Sequence, residues 1–227
     1  MTHRGSFRWT ERSIAHMGAV MNQTLHTTPT LPALARIIAG AIAVLVLISL
    51  AVQSTLGTGT VFENIGGLLR FFTIWGNVAA GLLMAFAAAG RTVAPRVMAA
   101  LATMLTVIGS IYWLLLSGDH HPVGIDRVTN QVFHTIVPLA AIAWWWRYTP
   151  STPAVLPAVP TIMIPPLAYG AFALALGQLT GFYAYFFVDL PALGAMQFVI
   201  NNVVLALFFA LLGAALLAIK NRFGAKG

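Results

Sequence analysis

Six apolar runs, each near the length of a membrane-crossing helix, constrain this chain more than any other feature. They cover about 33–53, 66–88, 95–116, 129–147, 161–181 and 194–219. Polar or Pro/Gly-rich stretches separate them: "STLGTGTVFEN", "AGRTVAP", "SGDHHPVGIDR", "YTPSTPAVLPAVP" and "YAYFFVDLPA". A bilayer core about 30 Å thick takes about 20 apolar residues per helix. The spacing therefore predicts an all-α, polytopic membrane protein with six transmembrane helices. Only 7% of the 227 residues are charged, against about 25% in soluble domains. Three regions follow: a polar, mobile N-terminal segment at 1–32, a six-helix domain at 33–220 and a short basic tail at 221–227. The first run is expected to stay as a span. It is long for a signal sequence, and "SLAVQSTLG" after it offers no small-x-small cleavage site. Met17 and Met21 are alternative starts.

Charge sets the direction. With the N-terminus inside, the inner side collects Arg4, Arg8, Arg12, Arg36, Arg91, Arg96, Arg147, Lys220, Arg222 and Lys226. The outer side collects only Arg70 and Arg127. That asymmetry satisfies the positive-inside rule and predicts a multi-pass protein of the inner (plasma) membrane with both termini cytoplasmic. The run Trp144–Trp145–Trp146–Arg147–Tyr148 reads as an anchor at the inner interface.

Composition also excludes some chemistry. Without cysteine, thiol catalysis, disulfides and thiolate metal sites are ruled out. The net charge of +7 is spread over span ends rather than gathered into a surface, so no nucleic-acid partner is expected. The stretch from Asp119 to His121 offers three adjacent loop ligands at poor metal spacing, so no metal is expected. No haem or other cofactor is expected either, since His134 is the only histidine within a predicted span.

Polar groups inside the apolar runs carry the functional information. "RFFTIWGN" puts Arg70, Thr73 and Asn77 into the second run, and an arginine at mid-membrane costs about 2.5–3.5 kcal/mol. On a continuous helix, Gly66, Arg70, Thr73, Asn77 and Gly81 form one small or polar stripe that faces the bundle interior. The fourth run, "RVTNQVFHTIVPLA", places Asn130, His134 and Pro138 on one side. Pro138 removes a helix donor and frees a carbonyl that needs another partner. Both runs enter from the outer side. Thr73 and His134 then lie roughly 8–10 Å below the outer surface at 1.5 Å per residue, so neighbouring helices would bring them to one level.

A threonine hydroxyl becomes a nucleophile when a base takes its proton, and a neutral imidazole suits that task. Thr73 and His134 are thus a candidate pair for acyl transfer. Asn77 and Asn130, each one turn away, are candidate oxyanion donors, and Arg70 could hold an anionic head group. Asp126, Asp189 or a backbone carbonyl could orient His134. Gln197, Asn201 and Asn202 in the sixth run, and Thr103, Thr106 and Ser110 in the third, read as interhelical hydrogen-bonding groups.

"RFFTIWGN" and "NQVFHTIVP" resemble the FAR-17a/androgen-induced family of multi-pass membrane proteins, particularly its bacterial branch. "YAYFFVDLPALG" at 183–194 resembles the stretch before that family's last span, with Phe186 where a proline is usual. The resemblance covers about 35–220. It implies hydrolysis of lipids in which a fatty acid is esterified to a hydroxy fatty acid, with Thr73 and His134 in the catalytic roles. A membrane lipid is then the substrate, and its free carboxylate matches the role given to Arg70. Two other readings use the same residues: a non-catalytic carrier of lipids or small anions, and an assembly protein whose polar groups only join helices.

Overall fold

The computed structural model describes residues 31–152 and 154–224. The segment at 1–30 and the last residues of the predicted tail, 225–227, lie outside the described residues. Among the described residues the fold has eight α-helices and no strand. They are α1 (Ala33–Gln53), α2 (Val61–Leu68), α3 (Phe72–Ala88), α4 (Pro95–Ile111), α5 (Gly124–Gln131), α6 (Val137–Tyr148), α7 (Val159–Thr180) and α8 (Leu190–Phe223). Among the described residues four stretches are long and apolar enough to cross a membrane: Ala33–Gln53, Pro95–Leu116, Leu156–Thr180 and Leu190–Phe223. The pair α2 and α3 makes a fifth if its bent halves count as one span.

α4 is the centre of the bundle. It contacts α3, α6, α7 and α8, and its buried face runs from Met98 to Ile108. Small residues allow the close approaches, as expected where lipid supplies no hydrophobic drive between helices. Gly76 of α3 lies under Met104 and Ile108 of α4, and Gly81 of α3 meets Val46 of α1. Thr103 and Thr106 return their hydroxyls to the carbonyls one turn back, at 2.9 and 2.7 Å, rather than joining helices as predicted. In α8, Gln197 donates to Asn201 and Asn202 to the Phe198 carbonyl, both within their own helix, while Asn201 reaches the Phe187 carbonyl at 2.8 Å.

The aromatic run in α6 departs from the expected interfacial anchor. Trp144 and Trp145 are buried, and the Trp144 indole donates to the Ala35 carbonyl at 2.8 Å. That bond ties α6 to α1. The end of α6 is closed by Lys220 of α8, which is only 1% exposed. Its ammonium donates to the Trp145 and Trp146 carbonyls at 3.1 and 2.8 Å, where the negative end of the helix dipole attracts it. α8 therefore runs three residues past the predicted domain edge at 220. Lys220→Met keeps the bulk but leaves both carbonyls without this donor. It is expected to lower stability in detergent by about 2–3 kcal/mol, read by thermal unfolding.

The largest departure from expectation lies in the second run. The predicted continuous helix breaks between Leu68 and Phe72 and turns by 102°. Arg70 therefore does not share a helical stripe with Thr73 and Asn77. α2 opens with a capping box, Thr60 with Glu63. After it, Phe71 is extended, and the chain restarts as α3. A break within an apolar bundle must have its freed backbone groups satisfied, and three aromatic side chains do this. The Trp75 indole donates to the Leu69 carbonyl at 2.8 Å, and the Tyr169 hydroxyl to the Arg70 carbonyl at 2.8 Å. The Tyr185 hydroxyl accepts the Phe72 N–H at 3.1 Å.

Two π-helical segments flank the same region. One, Tyr112–Leu116, extends α4; the other, Val132–Ile136, joins α5 to α6. Pro138 accounts for the second. A proline ring clashes with the carbonyl four residues back and supplies no N–H, so the turn before it widens.

Candidate functional site

The break and the widened turn together set the site. Thr73 falls in the first turn of α3, and His134 in the middle of the π segment. Thr73 Oγ1 and His134 Nε2 stand 3.2 Å apart. The other ring nitrogen, His134 Nδ1, lies 3.0 Å from the Asn130 carbonyl. A carbonyl only accepts, so Nδ1 carries the proton in that bond. In the neutral imidazole the Nε2 lone pair then faces the threonine hydroxyl. Tyr112 stacks on the imidazole with ring centroids 3.9 Å apart and planes 22° apart. The Tyr112 hydroxyl accepts from Asn130 Nδ2 at 2.6 Å. Asn130 thus fixes His134 twice, once by its carbonyl and once through Tyr112.

The remaining predicted residues take other positions. Asn77 is fully buried, and its amide donates to the Thr73 carbonyl at 2.8 Å and the Phe133 carbonyl at 3.1 Å. The second bond has a specific cause. In the π segment the Val137 N–H goes to the Val132 carbonyl, and Pro138 has no N–H. The Phe133 carbonyl is left without a helix partner, and Asn77 supplies the donor. Asn77 is therefore a clamp between the two helices, with its donors spent, rather than an oxyanion donor. Asn130 likewise spends its amide on Tyr112. Asn77→Leu removes the donor that Phe133 needs in a dry interior. It is expected to cost about 1–3 kcal/mol in thermal unfolding and to widen the Thr73–His134 separation.

Neither predicted acid orients His134. Asp126 accepts from Gln53 at 2.9 Å and so links α5 to α1. Asp189 caps α8 through the Ala192 N–H. The third alternative, a backbone carbonyl, holds the ring instead. Arg70 faces away from the pair. Its guanidinium lies 5.0 Å from the centre of the Phe182 ring. It lines a separate cavity of about 600 Å³ with Glu63, Asn64 and Asp126. Gln53, Leu68, Phe71 and Asp126 line both this cavity and the one that holds His134.

Tyr185 was not singled out in the sequence, yet it lines both cavities beside Thr73. Its phenol accepts the Phe72 N–H and lies against the backbone and side chain of Thr73. The first-turn amides of α3 add the positive end of a helix dipole at the same point. Nothing in the spacing of "YAYFFVDLPALG" separates Tyr185 from the aromatic residues around it.

Two cavities meet at Thr73. One, about 430 Å³, contains His134, Asn130, Asp119 and His120. The other, about 370 Å³, is lined almost wholly by apolar side chains of α4, α7 and α8. Thr73, Tyr112, Leu116 and Tyr185 line both. The arrangement puts a hydroxyl, an imidazole and a phenol at the junction of two largely apolar cavities, one bordered by aspartate and histidine side chains and the other by neither. Comparison of the chain with protein-family models, with characterised proteins and with solved structures finds no match.

Proposed function

We propose that this protein is an intramembrane threonine hydrolase of lipid esters. In this reading it crosses the plasma membrane six times with both termini cytoplasmic. One observation carries the proposal: Thr73 Oγ1 lies 3.2 Å from an imidazole nitrogen whose opposite nitrogen is tied to a carbonyl. The resemblance of "RFFTIWGN" and "NQVFHTIVP" to the FAR-17a/androgen-induced family points the same way. It suggests fatty acid esters of hydroxy fatty acids as substrates.

Thr73 Oγ attacks the ester carbonyl while its proton passes to His134 Nε2. The carbonyl oxygen becomes an oxyanion, and the Tyr185 hydroxyl and the start of α3 are placed to stabilise it. Collapse breaks the bond to the alcohol oxygen, which takes the proton from Nε2 and leaves. Water then attacks the acyl-threonine, giving a proton to Nε2. Release of the fatty acid returns that proton to Thr73. Arg70 borders the adjoining cavity, which shares Gln53, Leu68, Phe71 and Asp126 with the one that holds His134, and it is the group there that would meet a carboxylate.

The broken helix at Leu68–Phe72 favours a second reading, a carrier, since transporters often place their sites at interrupted helices. The test is incubation of the purified protein in nanodiscs with a fatty acid ester of a hydroxy fatty acid. A serine/threonine-reactive alkyl phosphonate is used in parallel, with the adduct mapped by mass spectrometry. Ester cleavage with an adduct on Thr73 supports the hydrolase. Ester binding without cleavage, or an adduct elsewhere, overturns it.

A further inference from the structure

The apolar cavity beside Thr73 has no part in the proton-transfer chemistry, yet the nucleophile opens into it. Its floor and sides come from Met163, Pro166, Leu174, Phe198, Ala206 and Phe209. Its one polar amide on α8, Asn202, spends its donor on the Phe198 carbonyl of its own helix at 2.8 Å. The cavity therefore offers dispersion contacts and almost no fixed hydrogen-bonding partner. Such a space suits a hydrocarbon chain and not a head group. The cavity on the other side of Thr73 is also largely apolar, but it is bordered by Asp119, His120, Asp126 and His134, where the first has no aspartate or histidine, and it suits the half of the substrate that carries polar groups.

We propose that the apolar cavity is the chamber for the acyl chain of the ester, and that its usable length is set at Gly170. This rests on the ester-hydrolase reading above. With the chain in the chamber, the carbonyl carbon lies at Thr73, the one reactive group in the lining. The alcohol side then points past His134 into the second cavity, where the leaving oxygen meets Nε2. Gly170, on the α7 wall, is the gauge residue because a Cβ added there meets no atom within 4 Å. A side chain at this position grows into the cavity rather than into a neighbouring helix. A leucine in place of glycine also raises helix propensity, so α7 gains rather than loses intrinsic stability. Ala206 lines the same cavity from α8 and provides an independent place to fill it.

The experiment compares 4-carbon and 16-carbon p-nitrophenyl esters on the full chain in nanodiscs, for the wild type, Gly170→Leu and Ala206→Leu. The 4-carbon ester serves as the internal reference within each variant. The variants' ratio of 16-carbon to 4-carbon kcat/KM is expected to fall about 10- to 200-fold, the range one or a few methylenes command in an apolar pocket. An unchanged ratio, or equal loss of both esters, overturns the chamber while leaving the hydrolase reading in place. A second measurement does not depend on turnover. A 16-carbon fatty acid with a terminal diazirine is photolysed on the protein, and adducts are mapped. Adducts on Met163, Leu174 or Phe198 that vanish in Gly170→Leu support the chamber even if the wild type cleaves neither ester, an outcome that sinks the hydrolase reading alone. Adducts that are the same in wild type and variant overturn the chamber.

Discussion

His134→Ala is expected to reduce kcat for ester cleavage about 10⁴-fold, with the protein still folded. The imidazole does two jobs. It takes the Thr73 proton during attack and returns one to the leaving alcohol, so its loss slows both halves of acylation and also the attack of water. Thr73→Ala is expected to reach the same floor, because the base has nothing to activate without the hydroxyl. The double variant should be no slower than either single one, as residues that act as a unit are strongly non-additive. Thr73→Ser keeps the hydroxyl and should retain measurable turnover. The measurement is kcat and KM on a fatty acid ester of a hydroxy fatty acid, with thermal unfolding as the check on folding. If both alanine variants cleave the ester at the wild-type rate, the assignment is wrong. A carrier role would then account better for the cavities.

Tyr185→Phe is the second large effect, expected at about 10²–10³-fold in kcat with little change in KM. The phenol accepts the Phe72 N–H, which polarises its O–H as a donor to the developing oxyanion. A ground-state ester carbonyl carries less charge, so substrate binding depends on the donor less than the transition state does. Phenylalanine keeps the ring that stacks on Phe187 with centroids 5.2 Å apart, so the loop should stay in place. The rate of covalent capture of Thr73 by an alkyl phosphonate should fall in step with kcat. A KM effect with unchanged kcat would assign Tyr185 to substrate positioning alone.

Much of this site can be read from residue order. The runs at 33–53 and 95–116 coincide with α1 and with the π-extended α4, because apolar periodicity over twenty residues leaves few alternatives. Thr73 and His134 could be paired by counting residues from the span edges. The break between them could not. Residues 69–71 contain no proline, and Gly66 and Gly67 lie upstream inside α2. The helix stops there because Trp75, Tyr169 and Tyr185 satisfy the opened backbone, and two of those three are about a hundred positions away. Local propensity carries no record of such partners. Asn77 was misread for a related reason. Its sequence position is one turn from Thr73, but its function depends on a carbonyl freed by Pro138 in another helix. Arg70 was placed on the Thr73 stripe only because the helix was taken as unbroken.

The widened turn at Val132–Ile136 has a consequence for how such a protein can change. It separates the rotational phase of α5 from that of α6. α6 is registered against α1 by the Trp144 bond and against α8 by Lys220, while the half of the helix before Pro138 aims the imidazole. That separation counts one residue: a π turn takes up one more residue than an α turn, so deleting one inside it would restore an ordinary helix with both halves facing as before. The bonds of α5 to Gln53 and Tyr112 would be kept, while the carbonyl that Asn77 anchors would regain a helix N–H and the clamp between the two helices would lose its purpose.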